Sequence, residues 1–398
     1  MTMLVRYAGI DIGSKQHAIA VVDSHGSVLV TPRMFGEERS GYQALFSLLG
    51  SPEGLLVAME STGHYWQNLF FALTQRGYST AVVNPLRTHY FSGEQMLRAK
   101  TDKVDALLLA RFCAQKKPRV CHRRIETEQL LRSYVRQRDR AVQDAAVRMR
   151  QLHRELDLCF PEFTDHVGRL DTKLVTTVLK RYPTAHRMAR AKPGHLGRIV
   201  YDGCHTVGRE RAHRWIQAAK DSVGAHGGPA HEEAIDNLCA DIDLFKGRAT
   251  RLDEQIEAQL RRHEVGMLLT TIPGIGPKSA ACVIAEAGDP ARFESSAAFC
   301  AYVGITPRPN LSGRKKTKSF HIARIGNARL RKALYMPTLS AIQRNPWLKR
   351  FYERLVAKGK PKKLAVVACM HKLFKAIYSV AKNRKPFEER PAPEPVAA

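Results

Sequence analysis

The order of secondary-structure signals constrains this chain most. Three strand signals separated by turns give way to alternating helix and strand, all within residues 1 to about 120. Leu4 to Ile12 and Ala18 to Asp23 are apolar runs joined across a Gly-Ser turn, and Ser24-His25-Gly26 leads into a third run near Val28 to Met34. The spacing then predicts a helix over Gly41 to Leu49, a buried strand over Leu55 to Met59 and a helix over Tyr65 to Arg76. A short strand over Thr80 to Asn84 and a last helix over Glu94 to Gln115 complete the region. Hairpin strands followed by helix–strand alternation make a mixed sheet flanked by helices. The remainder reads as helical, so the class is α/β plus all-α.

This order resembles the ribonuclease H-like arrangement. There, carboxylates at the centre of the first strand, the end of the fourth and a late helix meet at one edge. Those places hold Asp11 in VRYAGIDIGSK, Glu60 in LLVAMESTG, and Asp102 with Asp105 in KTDKVDALL. The i, i+3 spacing puts the last two on one helix face. Like charges that converge repel, and divalent cations are what make such a cluster tolerable. Blander readings compete. GIDIG also opens the phosphate hairpin of actin-like ATPases, but the nearest second Asp-Gly, Asp202-Gly203, sits in a His-rich loop. Asp102 and Asp105 could pair with Arg98, Lys100 or Lys103, and Thr101 or Asp102 could cap the helix. Glu60 closes an apolar strand, where a charge needs a partner or a metal.

A chain of 398 residues exceeds one core and implies two or three domains. Its formal charge of +27 points to a polyanionic partner. From Gly266 onward there are 25 Lys and Arg against 7 Asp and Glu, which makes that segment the leading phosphate-binding surface. No run of eighteen apolar residues suggests a membrane span, and the start turns polar too soon for a signal peptide. Cys113, Cys121, Cys159, Cys204, Cys239, Cys282, Cys300 and Cys369 show no zinc spacing and read as reduced thiols of a cytoplasmic protein.

The middle, 125–265, carries two heptad seams. One runs through Leu131, Val135, Arg138, Val142, Ala145, Met149, Leu152 and Leu156, with Arg138 as its flaw; the other runs from Ile235 to Ile256. They predict either an intramolecular helix pair or a dimer-forming coiled coil. Residues 161–229 between them are rich in His, Gly and Arg, with short helical stretches and no readable motif. From 266 to 386 a compact helical domain is expected, opening with a helix-hairpin-helix element around Pro273-Gly274-Ile275-Gly276 that would turn backbone N–H groups toward a phosphate. The Pro-rich tail, 387–398, reads as disordered.

Ser312, in TPRPNLSGRKKTK, is a turn residue on the bland reading. On the sharper one it attacks a phosphodiester held by Arg314, Lys315, Lys316 and Lys318, with Ser279 and Tyr302 as rivals. Gly274, Gly276, Lys278, Arg324 and Arg331 are further candidate nucleic-acid contacts.

Taken together, GIDIGSKQH, MESTGHYW, KTDKVDA, IPGIGP, AYVGITPR, LSG and HIARIGNARLRKAL resemble the DEDD transposases of the insertion sequence one-ten family. These are related to Piv-type DNA invertases and are also called bridge recombinases. The resemblance spans nearly the whole chain. It implies a RuvC-like domain over 1–124, a coiled-coil region over 125–265 and a transposase domain over 266–386. It implies that Asp11, Glu60, Asp102 and Asp105 bind Mg²⁺, two ions per site with Mn²⁺ as a substitute, and that Ser312 is the nucleophile. It implies donor and target DNA and a structured guide RNA as partners, and dimers pairing into tetramers. The insert at 161–229 departs from the pattern. The alternatives are a RuvC-like nuclease cutting branched DNA and a non-catalytic nucleic-acid-binding protein.

Overall fold

A computed structural model describes residues 5–95, 101–121, 124–308, 321–322 and 325–389. The chain forms two compact units, residues 1–124 and 125–398. In the first, β1 (Arg6–Ile12), β2 (Gln16–Asp23) and β3 (Val28–Gly36) pair antiparallel, while β4 (Leu55–Glu60) and β5 (Ser79–Val83) continue the sheet in parallel from β1. The order is β3-β2-β1-β4-β5.

Alternation along the strands divides the core in two. Ala8, Ile10, Ile19, Val57 and Met59 meet α1 (Arg39–Leu49) and α2 (Trp66–Gln75) on one face. Tyr7, Ala18, Ala20, Leu56 and Ala58 meet α3 (Pro85–Glu94) and α4 (Asp102–Lys116) on the other. The expected single helix from Glu94 to Gln115 is two. Glu94 ends α3, a helix that strand-like Thr80-Ala81-Val82-Val83 conceals, although Asn84 caps it and Pro85 fills its first position. Residues 96–100, including Arg98 and Lys100, lie outside the described residues.

The second unit is built on α5 (Glu126–Cys159). After it come a 3₁₀ turn (Pro161–His166), α6 (Lys173–Leu179), α7 (Ala185–Ala189) and α8 (Pro193–Gly197). A small hairpin, β6 (Val200–Tyr201) with β7 (His205–Thr206), and α9 (Arg209–Lys220) lead to α10 (Pro229–Arg261). α5 and α10 pack along one another within the chain. Arg138 pairs with Asp253 at 2.9 Å and Arg148 with Asp241 at 2.8 Å, so the helices run antiparallel. The flaw in the heptad seam is thus an ion pair. The seam joins a core at each end: Leu152, Leu156, Ile235 and Ile242 enter the insert's core, and Leu131, Val135, Ile256 and Leu260 enter the C-terminal core, while only small Ala141 and Ala249 are buried midway. Val142, a seam position, is 41% exposed between the two cores.

The C-terminal core is all-helical. It comprises α11 (Glu264–Leu269), α12 (Pro277–Ala287), α13 (Ser296–Val303), α14 (Ala328–Arg344), α15 (Pro346–Ala357) and α16 (Lys362–Asn383). β8 (Pro307–Arg308) pairs with β9 (His321–Ile322) between α13 and α14. α16 is long and apolar enough to cross a membrane, but its apolar side, Val366, Cys369, Leu373, Phe374 and Ile377, lies in this core. Phe387, the first residue of the Pro-rich segment, has its amide donating to Thr271 Oγ1 at 2.8 Å and its ring packed on Trp347.

Candidate active site

Asp11 and Glu60 come together through register alone. Ile10 pairs with Met59 in the parallel β1–β4 ladder, and the next residues on each strand are Asp11 and Glu60. Adjacent strands lie about 4.8 Å apart and paired residues share a face. Both therefore stand on the face of Tyr7, Leu56 and Ala58, the face that α4 covers.

The direction of α4 supplies the other two carboxylates. A Cβ on Gly9 would lie 2.2 Å from Ala110 N and 2.3 Å from Ala106 O, so the helix backbone rests directly on β1 there. Further along, Cys113 Sγ approaches Leu56 O at 3.7 Å. Hence α4 runs antiparallel to β1 and its first turn lies over the end of the strand. Going from Ala106 back to Asp102 covers about 6 Å of helix, and going from Gly9 to Asp11 covers about 6.6 Å of strand. Asp102 and Asp105 occupy that first turn, where the helix dipole favours anions. Thr101 is the cap, its hydroxyl accepting from Val104 N at 3.3 Å, so Asp102 is not spent on capping.

Electrostatics records the convergence. Burial, then the charges of Asp105, Asp102 and Glu60, push the Asp11 carboxyl up to about 6, against a hydrogen bond from the Ile12 backbone. Glu60 is held from the side: Thr88 on α3 donates to its Oε1, and Thr62 Oγ1 lies 3.5 Å from its Oε2. Among the described residues no three carboxylate, imidazole or thiolate groups are gathered closely enough to enclose a metal ion. Thr88 carries no sequence signal, because the helix bearing it is hidden in the sequence. A second buried network was also missed. His17 Nε2 meets Glu37 at 2.6 Å, Tyr42 donates to Glu37 at 2.7 Å and Asn68 at 3.1 Å, on the face away from Asp11.

The C-terminal candidates fare unevenly. Ser312, Arg314, Lys315, Lys316, Lys318 and Arg324 lie outside the described residues. The β8–β9 pairing sets Arg308 opposite His321 and Pro307 opposite Ile322. Below it, Gly326 packs against the Gly304 backbone and Asn327 N donates to Tyr302 O at 2.9 Å. Arg331 donates to Val303 O at 2.7 Å, bracing that turn. Tyr302, the rival nucleophile, donates to Glu286 O at 2.9 Å. In the hairpin, Gly274 has φ of +95° and abuts Ala341 of α14, while Gly276 is exposed at the start of α12. Lys278 pairs with Asp253 at 2.6 Å, bringing the hairpin to α10.

The chain matches two family models: a DEDD transposase model of the IS110 type over residues 8–161, and the transposase model of the IS116/IS110/IS902 family over residues 266–353. Together they cover more than half the chain. A pilin gene-inverting protein of Moraxella bovis is 27% identical over 84% of this chain and 83% of its own length. A mini-circle putative transposase for IS117 of Streptomyces coelicolor is 26% identical over 99% and 98% respectively. The transposase for insertion sequence element IS1328 of Yersinia enterocolitica is 25% identical over 92% and 96%. The chain belongs to the IS110 family of transposases and is an enzyme acting on DNA.

Proposed function

We propose that this enzyme is the transposase of an insertion sequence, moving its own element with a carboxylate metal site and a serine nucleophile. The carrying observation is the placement of Asp11 beside Glu60 at adjacent strand ends, with Asp102 and Asp105 in the first turn of the helix that crosses β1; the raised Asp11 carboxyl agrees with it. The sheet order and the position of α4 support a ribonuclease H-like reading of residues 1–124. An all-oxygen donor set of four carboxylates fits Mg²⁺ or Mn²⁺. Bound there, divalent ions would polarise the scissile phosphate and stabilise charge on its oxygens. The protein's part is to hold Asp11 and Glu60 on rigid strand ends and to bring the helix acids over them.

Ser312 is taken as nucleophile from the resemblance of its LSG motif and motif order to the family, and its place between a Pro-rich loop and four cations suits that role. Its oxygen forms a phosphoester with the DNA as the scissile P–O bond breaks, conserving the bond for rejoining. A relative named for inverting a gene supports strand exchange over simple cutting, since inversion must rejoin what it cuts. Residues 125–265 are read as the coiled-coil region and 266–386 as the transposase domain. Guidance by a structured RNA, assembly as paired dimers and action in the cytoplasm complete the reading. The basic C-terminal third supports the RNA partner.

The test is recombination in vitro with donor and target DNA, Mg²⁺ and RNA transcribed from the gene's flanks. Glu60→Gln and Asp102→Asn should abolish it. Ser312→Ala should abolish covalent protein–DNA adducts while Mg²⁺ binding persists. Turnover in EDTA would sink the metal site, and adducts formed by Ser312→Ala would sink the serine.

A further inference from the structure

Neither family model reaches residues 162–265, and the mechanism uses nothing from the insert. Residues 161–229 nevertheless carry twelve Lys and Arg against six Asp and Glu. Several of these cations face α10: Arg187 pairs with Glu232 at 2.8 Å, and Lys173 and Lys180 pair with Asp243 at 3.2 and 2.9 Å. Arg198, Arg209 and Lys220 are among those that do not. All three are exposed, and among the described residues no carboxylate lies within 4.0 Å of any of them.

Two of these stand at the root of one projection. Gly208 N donates to Gly197 O at 3.0 Å and Val207 N to Ile199 O at 3.1 Å, extending the β6–β7 ladder down to the body. Arg198 thus lies on the outgoing arm and Arg209 at the end of the returning one. Asp202 and Gly203, with φ of +50° and +78°, make a tight turn at the tip. Residues 202–206 are all exposed, so the hairpin stands out into solvent. From its root, α9 buries Ala212, Trp215, Ile216 and Ala219. It turns Arg209, His213 and Lys220 outward at i, i+4 and i+11, one stripe.

We propose that this hairpin and the outer stripe of α9 dock on the backbone of duplex DNA beside the recombining site. A 12-residue helix is about 18 Å long, and a B-form major groove about 12 Å wide admits a helix. The deep, narrow major groove of A-form RNA does not, and that favours DNA. With Arg187, Lys173 and Lys180 tied to α10, the two arginines at the hairpin root are placed to meet phosphates, which position a protein on its duplex. The inference rests on the family's action on DNA and is independent of the metal and serine assignments.

The full-length Arg198→Ala/Arg209→Ala variant is titrated with labelled duplex DNA covering an element end and its flank, and with the flank-encoded RNA, over a KCl series. Losing two phosphate contacts should reduce the slope of log affinity against log salt by about 1.8 for the duplex, with the RNA slope unchanged. Arg187→Ala, which removes a cation already paired to Glu232, should change neither. An unchanged duplex slope overturns the proposal, as does a loss confined to RNA or an equal loss in Arg187→Ala. A second measurement needs no change of sequence. Cys204 on the hairpin is the exposed cysteine among the eight, so a photo-crosslinker attached there should join the protein to flanking duplex. Absence of that adduct in a DNA-bound complex also overturns it.

Discussion

Adding one methyl group at Gly9 should damage the site from a distance. A Cβ there would lie 2.2 Å from Ala110 N, 2.3 Å from Ala106 O and 2.7 Å from Leu109 C, all backbone atoms that no rotamer change can move. Ordinary contact begins at 3.4 Å, so Gly9→Ala must lift α4 by about 1.2 Å, the gap between 2.2 and 3.4 Å. Overpacking of this kind costs about 1–3 kcal/mol, a melting shift of a few degrees per kcal/mol in a unit this size. The larger effect is on chemistry. Lifting α4 carries Asp102 and Asp105 away from Asp11 and Glu60, and misplacing catalytic groups by about 1 Å costs roughly 10²-fold. The Asp11 carboxyl should also fall back from about 6, since the receding aspartates are two causes of its rise. The assay pairs thermal melting of the purified variant with recombination rate under saturating Mg²⁺. A variant that melts lower yet recombines at the wild-type rate would refute the coupling between helix height and site. Wild-type melting would refute the backbone contact itself.

Asp11 also makes stability depend on pH. Its folded pKa, about 6, exceeds the unfolded value, so the folded state binds the extra proton. Unfolding free energy should therefore fall as pH rises from roughly 4 to 6; melting in EDTA should show this in the wild type and not in Asp11→Asn. Thr88→Val should weaken metal binding by about 10–100-fold, because the Thr88 hydroxyl holds Glu60, and Thr88→Ser should restore it; Mn²⁺ titration followed by melting reads this, and equal affinity in both variants would remove Thr88 from the site. Glu286 is 3% exposed. Burial would raise its carboxyl, but hydrogen bonds from Arg136 at 2.9 and 3.0 Å, with Asn327, hold it below the usual range. Arg136→Met removes the bidentate partner of that buried charge and should cost about 3–5 kcal/mol by denaturant unfolding. In the wild type this pair's contribution is lost as pH falls through the depressed folded pKa, below the ordinary glutamate range.

What was legible follows from how far each signal reaches along the chain. The strands carrying Asp11 and Glu60 announce themselves because alternation and turns are local, and the pair Asp102 and Asp105 because i, i+3 spacing is local too. The heptads named the helix pair but not its filling. Seam burial is set by what packs at each end, so Leu131 and Leu156 are buried while Val142 is exposed. The helix holding Thr88 was hidden because a β-branched run precedes its cap. Gly9 read as half of a loose motif, and only the crossing of a helix nearly a hundred residues later gives it a reason. The same logic separates the two halves of the proposed chemistry. Strand ends and a helix start impose geometry on their carboxylates, so the metal half can be argued from periodicity and register. Ser312 and its cations sit in a stretch without period. What the fold contributes there is the root on either side: Gly304 against Gly326, Asn327 on Tyr302, and Glu286 clamped by Arg136 of α5. Breaking that clamp should therefore lower adduct formation at Ser312 without altering Mg²⁺ binding by residues 1–124, a separation that a shared collapse of both units would contradict.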